Sequence, residues 1–223
     1  MKIYLDSADA RAWQLPTGCP PVQGITTNPT LVHQAGLPVT LPSYLQLISQ
    51  AAALGLAEIM LQLPEPDAAS GLQWMQALRT HAQSQGIALT IKLPCHPDWQ
   101  ACIEAVVAEQ QAVLLTGLSS PVQLLWARAL KAQWVAPYIG RLAADGRDVW
   151  ALMGACQQVQ QAGGPGLLAA SIKSPDVLAR LIDIGAAAAT LPPASLAAWS
   201  RDALTDTAIA QFERDIAASR KPA

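Results

Sequence analysis

The sequence has few of the residues that metal sites, disulfide frameworks and nucleic-acid surfaces require. Only four of its 223 residues are cysteines and three are histidines, and no Cys-x-x-Cys motif occurs. Because these spacings match no zinc or redox motif, we expect free thiols in a reducing compartment and no bound metal. The formal net charge is −2, and the 14 lysines and arginines form no cluster. Nucleic acid is therefore excluded as an expected partner, since binding to phosphate backbones requires grouped cations.

Long apolar segments are lacking too. No apolar run reaches the roughly 18 residues that a membrane-spanning helix needs, so we expect no membrane partner. Residues 1–6 are too few and too polar for the apolar region of a signal peptide. These absences predict a soluble protein of the cytoplasm.

Short apolar runs alternate along the chain with longer segments of helical spacing. The strand candidates are residues 2–6, 22–26, 58–63, 88–93, 112–116, 134–138, 166–171 and 187–191. The helix candidates between them are residues 42–54, 67–85, 98–109, 120–132, 145–162 and 174–185. This alternation predicts βαβ units around a parallel sheet. About eight strands in 223 residues predict an α/β fold, a compact (β/α)8 TIM barrel that forms one domain over residues 1–223.

One helix remains after the last predicted strand. It covers about residues 206–218, follows a shorter helix near 194–201, and carries Ile209, Phe212 and Ile216 in a single apolar stripe. Such a stripe normally faces a packed surface. Two interpretations stay open: the helix caps its own barrel, or it packs on a neighbouring subunit.

Lys92 is the residue that indicates chemistry most directly. It lies inside the apolar run 88–94, in a chain with only five lysines. An ammonium group in a buried strand is costly unless it is paired or loses its proton. A neutral lysine amine is a nucleophile, and its usual electrophile is a carbonyl carbon. The position therefore predicts Schiff-base chemistry.

Polar side chains occupy the ends of several predicted strands. Because side chains alternate between the two faces of a strand, Lys92 and Thr90 face the barrel interior and Ile91 and Leu93 face the helices. The same count turns the side chains of Asp6 and Gln62 inward, and we expect Asp6 to be the only inward-facing carboxylate. Three further polar residues end their predicted strands: Thr116, Tyr138 and Ser171. Active sites of TIM barrels are built at the carboxyl ends of the strands, so these side chains predict one.

These side chains provide the groups that Schiff-base chemistry needs. Lys92 attacks a ketone, and loss of water from the adduct requires a proton donor and acceptor nearby. Tyr138 can supply the proton, directly or through a water molecule held by Gln62 and Thr116. Asp6 can orient substrate hydroxyl groups or carry protons.

A second polar group follows the sixth and seventh predicted strands. Arg141 comes shortly after Tyr138, and Ser171 and Lys173 precede the helix start at Ser174. A guanidinium, a hydroxyl, an ammonium and a helix N-terminus together suit a phosphate group. The alternative interpretation is ordinary surface charge.

Six motifs lie in order at the predicted strand ends. They are Ile-Tyr-Leu-Asp-Ser-Ala at 3–8, Gly-Ile-Thr-Thr-Asn-Pro-Thr-Leu at 24–31, Ile-Lys-Leu-Pro at 91–94, Val-Ala-Pro-Tyr-Ile-Gly-Arg at 135–141, Ala-Ala-Ser-Ile-Lys-Ser-Pro at 169–175 and Thr-Leu-Pro-Pro at 190–193. With these motifs the chain resembles the small-subunit transaldolase and fructose-6-phosphate aldolase family. The resemblance runs nearly from end to end.

The resemblance implies class I aldolase chemistry without a metal or organic cofactor. It implies that Lys92 forms the Schiff base, that the substrate is bound by Asp6, Thr26 and Asn28, and that its phosphate is held by Arg141, Ser171 and Lys173. The expected partners are sugars or sugar phosphates. The family also implies ring-shaped homo-oligomers, pentamers or decamers, in which the terminal helix packs on a neighbour.

Three positions resemble the aldolase branch of the family more than the transaldolase branch. Gln62, Leu114 and Tyr138 stand where transaldolases have Glu, Asn and Phe. We therefore expect reversible cleavage of a ketose phosphate, such as fructose 6-phosphate, to dihydroxyacetone and glyceraldehyde 3-phosphate. The alternatives are a transaldolase that transfers the dihydroxyacetone unit and a non-catalytic barrel that binds sugar phosphates. The loops 94–98 and 117–121 depart from the family pattern and border the expected site.

Overall fold

Eight parallel strands close into a barrel in the computed structural model, which describes residues 1–220. The strands are β1 (Lys2–Asp6), β2 (Gly24–Thr26), β3 (Glu58–Gln62), β4 (Ala88–Pro94), β5 (Val113–Leu118), β6 (Trp134–Pro137), β7 (Gly166–Ala169) and β8 (Ala188–Leu191). Each strand pairs with the next along the chain, and β8 closes the barrel on β1. The predicted TIM barrel is confirmed, with strand ends within two residues of the expected positions.

Helices follow the strands and surround the barrel. They are α1 (Pro29–Gln34), α2 (Leu41–Ala53), α3 (Ala68–Ser84), α4 (Gln100–Ala108), α5 (Pro121–Ala129), α6 (Ile139–Ala144), α7 (Val149–Gln161), α8 (Pro175–Asp183), α9 (Pro193–Trp199) and α10 (Ala203–Ser219). All the predicted helices are present. The structure adds α1 and α6, which were not predicted because six residues are too few to show an apolar periodicity. Within residues 1–220, no helix combines the length and the apolar character needed to cross a bilayer.

Side-chain caps fix the points where several helices begin. The side chains of Asp67, Asp148 and Ser174 each accept a hydrogen bond from a backbone N–H in the first turn of α3, α7 and α8. Ser120 forms a reciprocal capping box with Gln123 at the start of α5. Such caps satisfy backbone donors that a helix leaves free. Because helices start at the carboxyl ends of the strands, the caps also hold the loops on that face.

The barrel interior is filled by side chains rather than open. Its apolar layer consists of Tyr4, Met60, Leu114, Ala136, Leu168 and Ala188. A larger apolar layer lies between the strands and the helices. This packing leaves room only above the inner layer, at the carboxyl ends of the strands.

A buried carboxylate stands at the amino end of the barrel. Glu58 accepts a hydrogen bond from the Tyr4 hydroxyl at 2.7 Å and another from the Thr90 hydroxyl at 2.6 Å. The expectation that Asp6 is the only inward carboxylate is therefore wrong. Glu58 shares the inward face of β3 with Met60, and its two hydrogen bonds satisfy both carboxylate oxygens.

The terminal helix α10 does not bury its apolar stripe on its own barrel. The exposed fractions of Ile209, Phe212 and Ile216 are 48%, 62% and 50%, and none of the helix's residues is buried. Exposed apolar side chains at this spacing are unusual in a helix that only caps its own domain. The structure thus disfavours the interpretation of α10 as a cap.

Candidate active site

A cavity of about 410 Å³ opens at the carboxyl ends of the strands. Eight of the ten predicted site residues line it: Asp6, Asn28, Lys92, Thr116, Tyr138, Arg141, Ser171 and Lys173. Residues separated by as much as 167 positions in the chain therefore meet around one space. Active sites of TIM barrels occupy this face.

Lys92 lies on the floor of the cavity with 4% of its surface exposed. Its neighbours in register are Gln62 on β3 and Leu114 on β5. Burial lowers the pKa of the Lys92 amine, and the negative charge of Asp6 opposes this effect only in part. No ion pair within residues 1–220 involves Lys92. The lowered pKa favours the neutral amine, which is the nucleophilic form.

Asp6 is held by a chain of hydroxyl groups from neighbouring strands. The Thr26 hydroxyl donates to Asp6 Oδ1 at 2.8 Å and lies 2.6 Å from the Thr190 hydroxyl. Because a hydroxyl has a single hydrogen, Thr190 must donate to Thr26 while Thr26 donates to Asp6. Thr26 therefore contacts Asp6 rather than lining the cavity, and Thr190 is a cavity residue that sequence reasoning missed. The alternation rule would have found Thr190, since it lies between outward-facing neighbours of β8.

Tyr138 forms the wall beside Thr116. Their hydroxyl groups are hydrogen-bonded beside a register shift between Thr116 and Leu118, where Gly117 adopts φ 76°. Burial raises the pKa of the Tyr138 phenol, while the Thr116 hydrogen bond and the charge of Arg141 act in the opposite direction. Tyr138 therefore carries its proton at neutral pH and can act as an acid.

The cationic part of the cavity depends on a close contact between α6 and the segment after β7. The Gly140 N–H donates to the Ser171 carbonyl at 3.0 Å, and Arg141, Ser171 and Lys173 line the cavity nearby. Ser171 has φ 61°, in the left-handed region that non-glycine residues seldom adopt. Strained backbone of this kind is concentrated at functional sites. We call Arg141, Ser171 and Lys173 the anion cluster.

Gln62 is the predicted residue whose placement differs most from expectation. Its register with Lys92 places its side chain on the inward face, but it is not among the residues that line the cavity. The backbone carbonyl oxygen of Gln62 accepts a hydrogen bond from the Tyr44 hydroxyl at 2.9 Å. Gln62 thus lies beside the candidate nucleophile, at the edge of the open space.

Gln123 joins the two loops that depart from the family pattern. Its Oε1 accepts from the backbone N–H groups of Ser119 and Ser120 at 2.8 and 3.1 Å, and its Nε2 donates to the Cys95 carbonyl at 2.8 Å. The loops after β4 and β5 are therefore fixed to each other. Sequence reasoning missed Gln123, although the Ser-x-x-Gln spacing at 120–123 is typical of a capping box.

The fold and the cavity define the class of protein: a TIM barrel with polar side chains gathered where enzymes of this fold carry their active sites. The chain belongs to the Transaldolase/Fructose-6-phosphate aldolase family, whose model matches residues 74–221. That description covers both activities, so membership supports an enzyme of this type without choosing between lyase and transferase.

Individual known proteins agree with this family. A "Probable transaldolase" of Caulobacter vibrioides (strain NA1000 / CB15N) is 27% identical over 221 residues, covering 98% of each chain. A "Probable transaldolase" of Caulobacter sp. (strain K31) is 29% identical over 217 residues, covering 96% of each. Among solved structures, the "Native KDPGal structure" has a TM-score of 0.55 at 14% identity and covers 89% of each chain. This last likeness concerns the barrel fold alone.

Gly140 provides a test of the contact that shapes the anion cluster. A Cβ atom at this position would lie 2.8 Å from Ser171 Oγ, 2.9 Å from the Ser171 carbonyl oxygen and 3.0 Å from Lys173 Cε. Because a backbone oxygen cannot move aside freely, we expect Gly140→Ala to lower the free energy of unfolding by about 1–3 kcal/mol, as overpacking does. Urea unfolding monitored by circular dichroism measures the change.

Gly154→Ala is the matched control for Gly140→Ala. Gly154 lies within α7, and a Cβ there meets no atom within 4 Å. Alanine in an open helix interior stabilises by about 0.5–1 kcal/mol relative to glycine. Equal unfolding free energies for the two variants would contradict the close contact between α6 and the Ser171 segment.

Proposed function

We propose that this protein is a class I aldolase that cleaves and forms a ketose phosphate through a Schiff base on Lys92. The observation that carries the proposal is the buried Lys92 amine, which opens into a cavity also lined by Asp6 and Tyr138. The reaction proposed is reversible cleavage of a ketose phosphate, such as fructose 6-phosphate, to dihydroxyacetone and glyceraldehyde 3-phosphate. Membership of the family supports the reaction type.

The first step is formation of the covalent intermediate. The neutral Lys92 amine adds to the ketone carbon and forms a carbinolamine, whose hydroxyl group leaves as water after it receives a proton. Tyr138 supplies this proton, and its hydrogen bond to Thr116 holds the phenol in place. Gln62, beside Lys92 in register, is proposed to hold the water molecule that carries the proton.

The second step breaks the bond between the α and β carbons of the iminium. The bonding electrons form the enamine double bond while the C=N π electrons move to nitrogen, and the hydroxyl group on the β carbon gives its proton to the Tyr138 phenolate left by the first step and becomes the aldehyde carbonyl. Protonation of the enamine and hydrolysis of the resulting iminium release dihydroxyacetone and restore Lys92. Asp6, fixed by Thr26, and Asn28 are proposed to orient the substrate hydroxyl groups.

The anion cluster is proposed to hold the substrate phosphate. Arg141 offers a planar set of donors that matches phosphate oxygens, and Lys173 adds a second cation. Binding energy from this distant group can position the reacting bond near the Lys92 amine.

A transaldolase is the second candidate function, because the Caulobacter relatives carry that name. It shares the first half of the reaction and differs in the fate of the enamine, which attacks a second aldehyde instead of being protonated and hydrolysed. Gln62, Leu114 and Tyr138 favour the lyase, because transaldolases of the family resemble one another in having other residues there.

Trapping with borohydride tests the role of Lys92. Reduction of the protein with dihydroxyacetone present should leave a stable adduct on Lys92, which peptide mass spectrometry locates, because borohydride reduces an iminium to an amine. Lys92→Met should abolish both the adduct and turnover, whereas Lys131→Met should retain them, since Lys131 lies on the turn before β6 at the opposite end of the barrel. An adduct on a different lysine would overturn the mechanism. Stabilisation by sugar phosphates without any adduct would favour the binding barrel.

Tyr138→Phe separates the lyase from the transferase. Loss of the phenol proton should lower release of free dihydroxyacetone from fructose 6-phosphate by about 10²–10⁴-fold, the usual effect of removing a general acid or base. Transfer of the dihydroxyacetone unit to an acceptor should fall less, since the enamine attacks the acceptor aldehyde instead of being protonated; hydrolysis of the product iminium is common to both reactions. Parallel assays of free dihydroxyacetone and sedoheptulose 7-phosphate turnover measure both. A larger loss of transfer would favour the transaldolase.

We further propose that α10 packs on a second copy of the chain in a homo-oligomer, a pentamer or decamer by family resemblance. The supporting observation is the exposed stripe of Ile209, Phe212 and Ile216. Phe212→Glu should reduce the particle mass measured by light scattering, because it places a charge in an apolar interface. Gln211→Glu, which adds the same charge at an exposed position of α10 outside the apolar stripe, should leave the mass unchanged. A wild-type particle with the mass of one chain would contradict the proposal.

A further inference from the structure

Arg141 contacts both the ring of Tyr138 and the cavity wall that carries the anion cluster. Its guanidinium carbon lies 4.6 Å from the centroid of the Tyr138 ring, and its side chain lines the same cavity as Ser171 and Lys173. Its backbone N–H donates to the Tyr138 carbonyl at 3.0 Å. Arg141 therefore contacts the candidate acid, Tyr138, and also belongs to the candidate phosphate site.

The backbone around Arg141 is fixed on both sides. The Ile139 and Gly140 N–H groups donate to the carbonyls of Ala170 and Ser171, each at 3.0 Å. These bonds tie the first turn of α6 to the segment after β7. An anion that enters the cluster therefore acts on the Arg141 side chain rather than on the position of α6.

We propose that Arg141 couples the proton of Tyr138 to the occupancy of the anion cluster, so that a bound phosphate keeps the phenol protonated. The inference rests on the proposed function, which places the substrate phosphate at this cluster. A cation over an aromatic ring favours the phenolate, because opposite charges nearby stabilise the ionised form. A phosphate that pairs with Arg141 cancels this field and adds negative charge of its own, and both effects favour the neutral phenol.

Other charged groups around Tyr138 do not replace Arg141 in this role. In the main cavity, the charged groups around Tyr138 are Asp6 on β1, Lys92 on β4, Arg141 on α6 and Lys173 after β7. On its other side, Tyr138 lines a second groove together with Asp145 and Arg147. Asp6 acts against Arg141 and raises the pKa of Tyr138. Arg147 donates to Asp145 at 2.7 Å, so the fields of that pair largely cancel. Among these groups, Arg141 is the cation stacked on the ring.

The coupling must act in both directions. If phosphate stabilises the protonated phenol, then the protonated phenol must bind phosphate more tightly than the phenolate does. We therefore expect the affinity for inorganic phosphate to fall by about tenfold as the pH rises through the titration of Tyr138, a typical strength for coupled sites. A substrate that carries a phosphate would thus hold Tyr138 in its acid form as it binds.

Fluorine NMR of protein labelled with 3,5-difluorotyrosine provides the test. The label has a more acidic phenol, so Tyr138 titrates where the protein is folded, and Tyr138→Phe identifies its resonance. Tyr4 and Tyr44 titrate later, because nothing opposes the effect of burial on their pKa, that of Tyr44 rising to about 12 before labelling, whereas Thr116 and Arg141 oppose it at Tyr138. We expect inorganic phosphate to move the Tyr138 titration to higher pH. In Arg141→Gln the titration should already lie at higher pH and should not respond to phosphate.

Three variants make the result specific to Arg141. Arg141→Lys keeps the charge and should recover part of the phosphate response. Lys173→Met should weaken phosphate binding but move the Tyr138 titration in phosphate-free buffer less than Arg141→Gln does. Arg180→Gln removes a comparable stack, since Arg180 lies 3.9 Å from the Trp150 ring centroid, and should change neither quantity.

Two results would overturn the coupling. One is a Tyr138 titration that Arg141→Gln leaves unchanged, and the other is a wild-type titration that saturating phosphate does not move. Formation of the dihydroxyacetone adduct on Lys92 requires no phosphate, so it separates failure of the coupling from failure of the proposed function. An adduct without coupling overturns the inference alone, whereas the absence of an adduct overturns the proposed function.

Discussion

Burial of the Lys92 amine within an apolar strand is the interaction on which the candidate site depends. Desolvation disfavours the charged amine more than the negative charge of Asp6 favours it. Asp6 is already engaged by the Thr26 hydroxyl, which in turn is held by Thr190. A carboxylate bound in this way contributes a field without forming an ion pair. The barrel therefore favours the neutral form of a buried amine by giving it no ion-pair partner within residues 1–220, and the neutral form is the one that the proposed Schiff-base mechanism requires.

The two ends of the barrel treat buried ionisable groups differently. At the amino end, Glu58 receives hydrogen bonds from Tyr4 and Thr90, which occupy both of its carboxylate oxygens. At the carboxyl end, Lys92 opens into the cavity without an ion pair within residues 1–220. A buried group whose hydrogen bonds are made stabilises the fold, whereas a buried amine that faces a cavity can meet a ligand there. Burial alone therefore does not identify a reactive residue; its hydrogen bonds decide.

The strands and most cavity residues could be predicted because both depend on local rules. Alternation placed Asp6, and position at a predicted strand end placed Thr116 and Tyr138, beside the cavity; the alternation count applied to β3 and β8 would have found Glu58 and Thr190. Glu58 is the first residue of β3, and Thr190 precedes the last residue of β8, so neither is the polar residue that ends its strand. Three features lie beyond such rules: the left-handed Ser171, the Arg141 contact with the Tyr138 ring, and the placement of Gln62 at the edge of the cavity. The first two depend on how α6, which is too short for a periodic pattern, packs on the next strand.

The separation between Lys92, the candidate nucleophile, and Tyr138, the candidate acid, follows from the register of the strands. Lys92 lies level with the apolar Leu114, and Thr116 is one inward position further along β5. Tyr138 in turn lies one inward position beyond Ala136, which pairs with Thr116. The amine thus sits in apolar surroundings that favour its neutral form, and the phenol stands higher, beside hydroxyl and guanidinium groups. Environments that lower the pKa of one titratable group and raise the pKa of another allow the first to stay unprotonated while the second keeps its proton. In this barrel the β5–β6 register sets that difference, and α6 adjusts it by placing a cation on the Tyr138 ring.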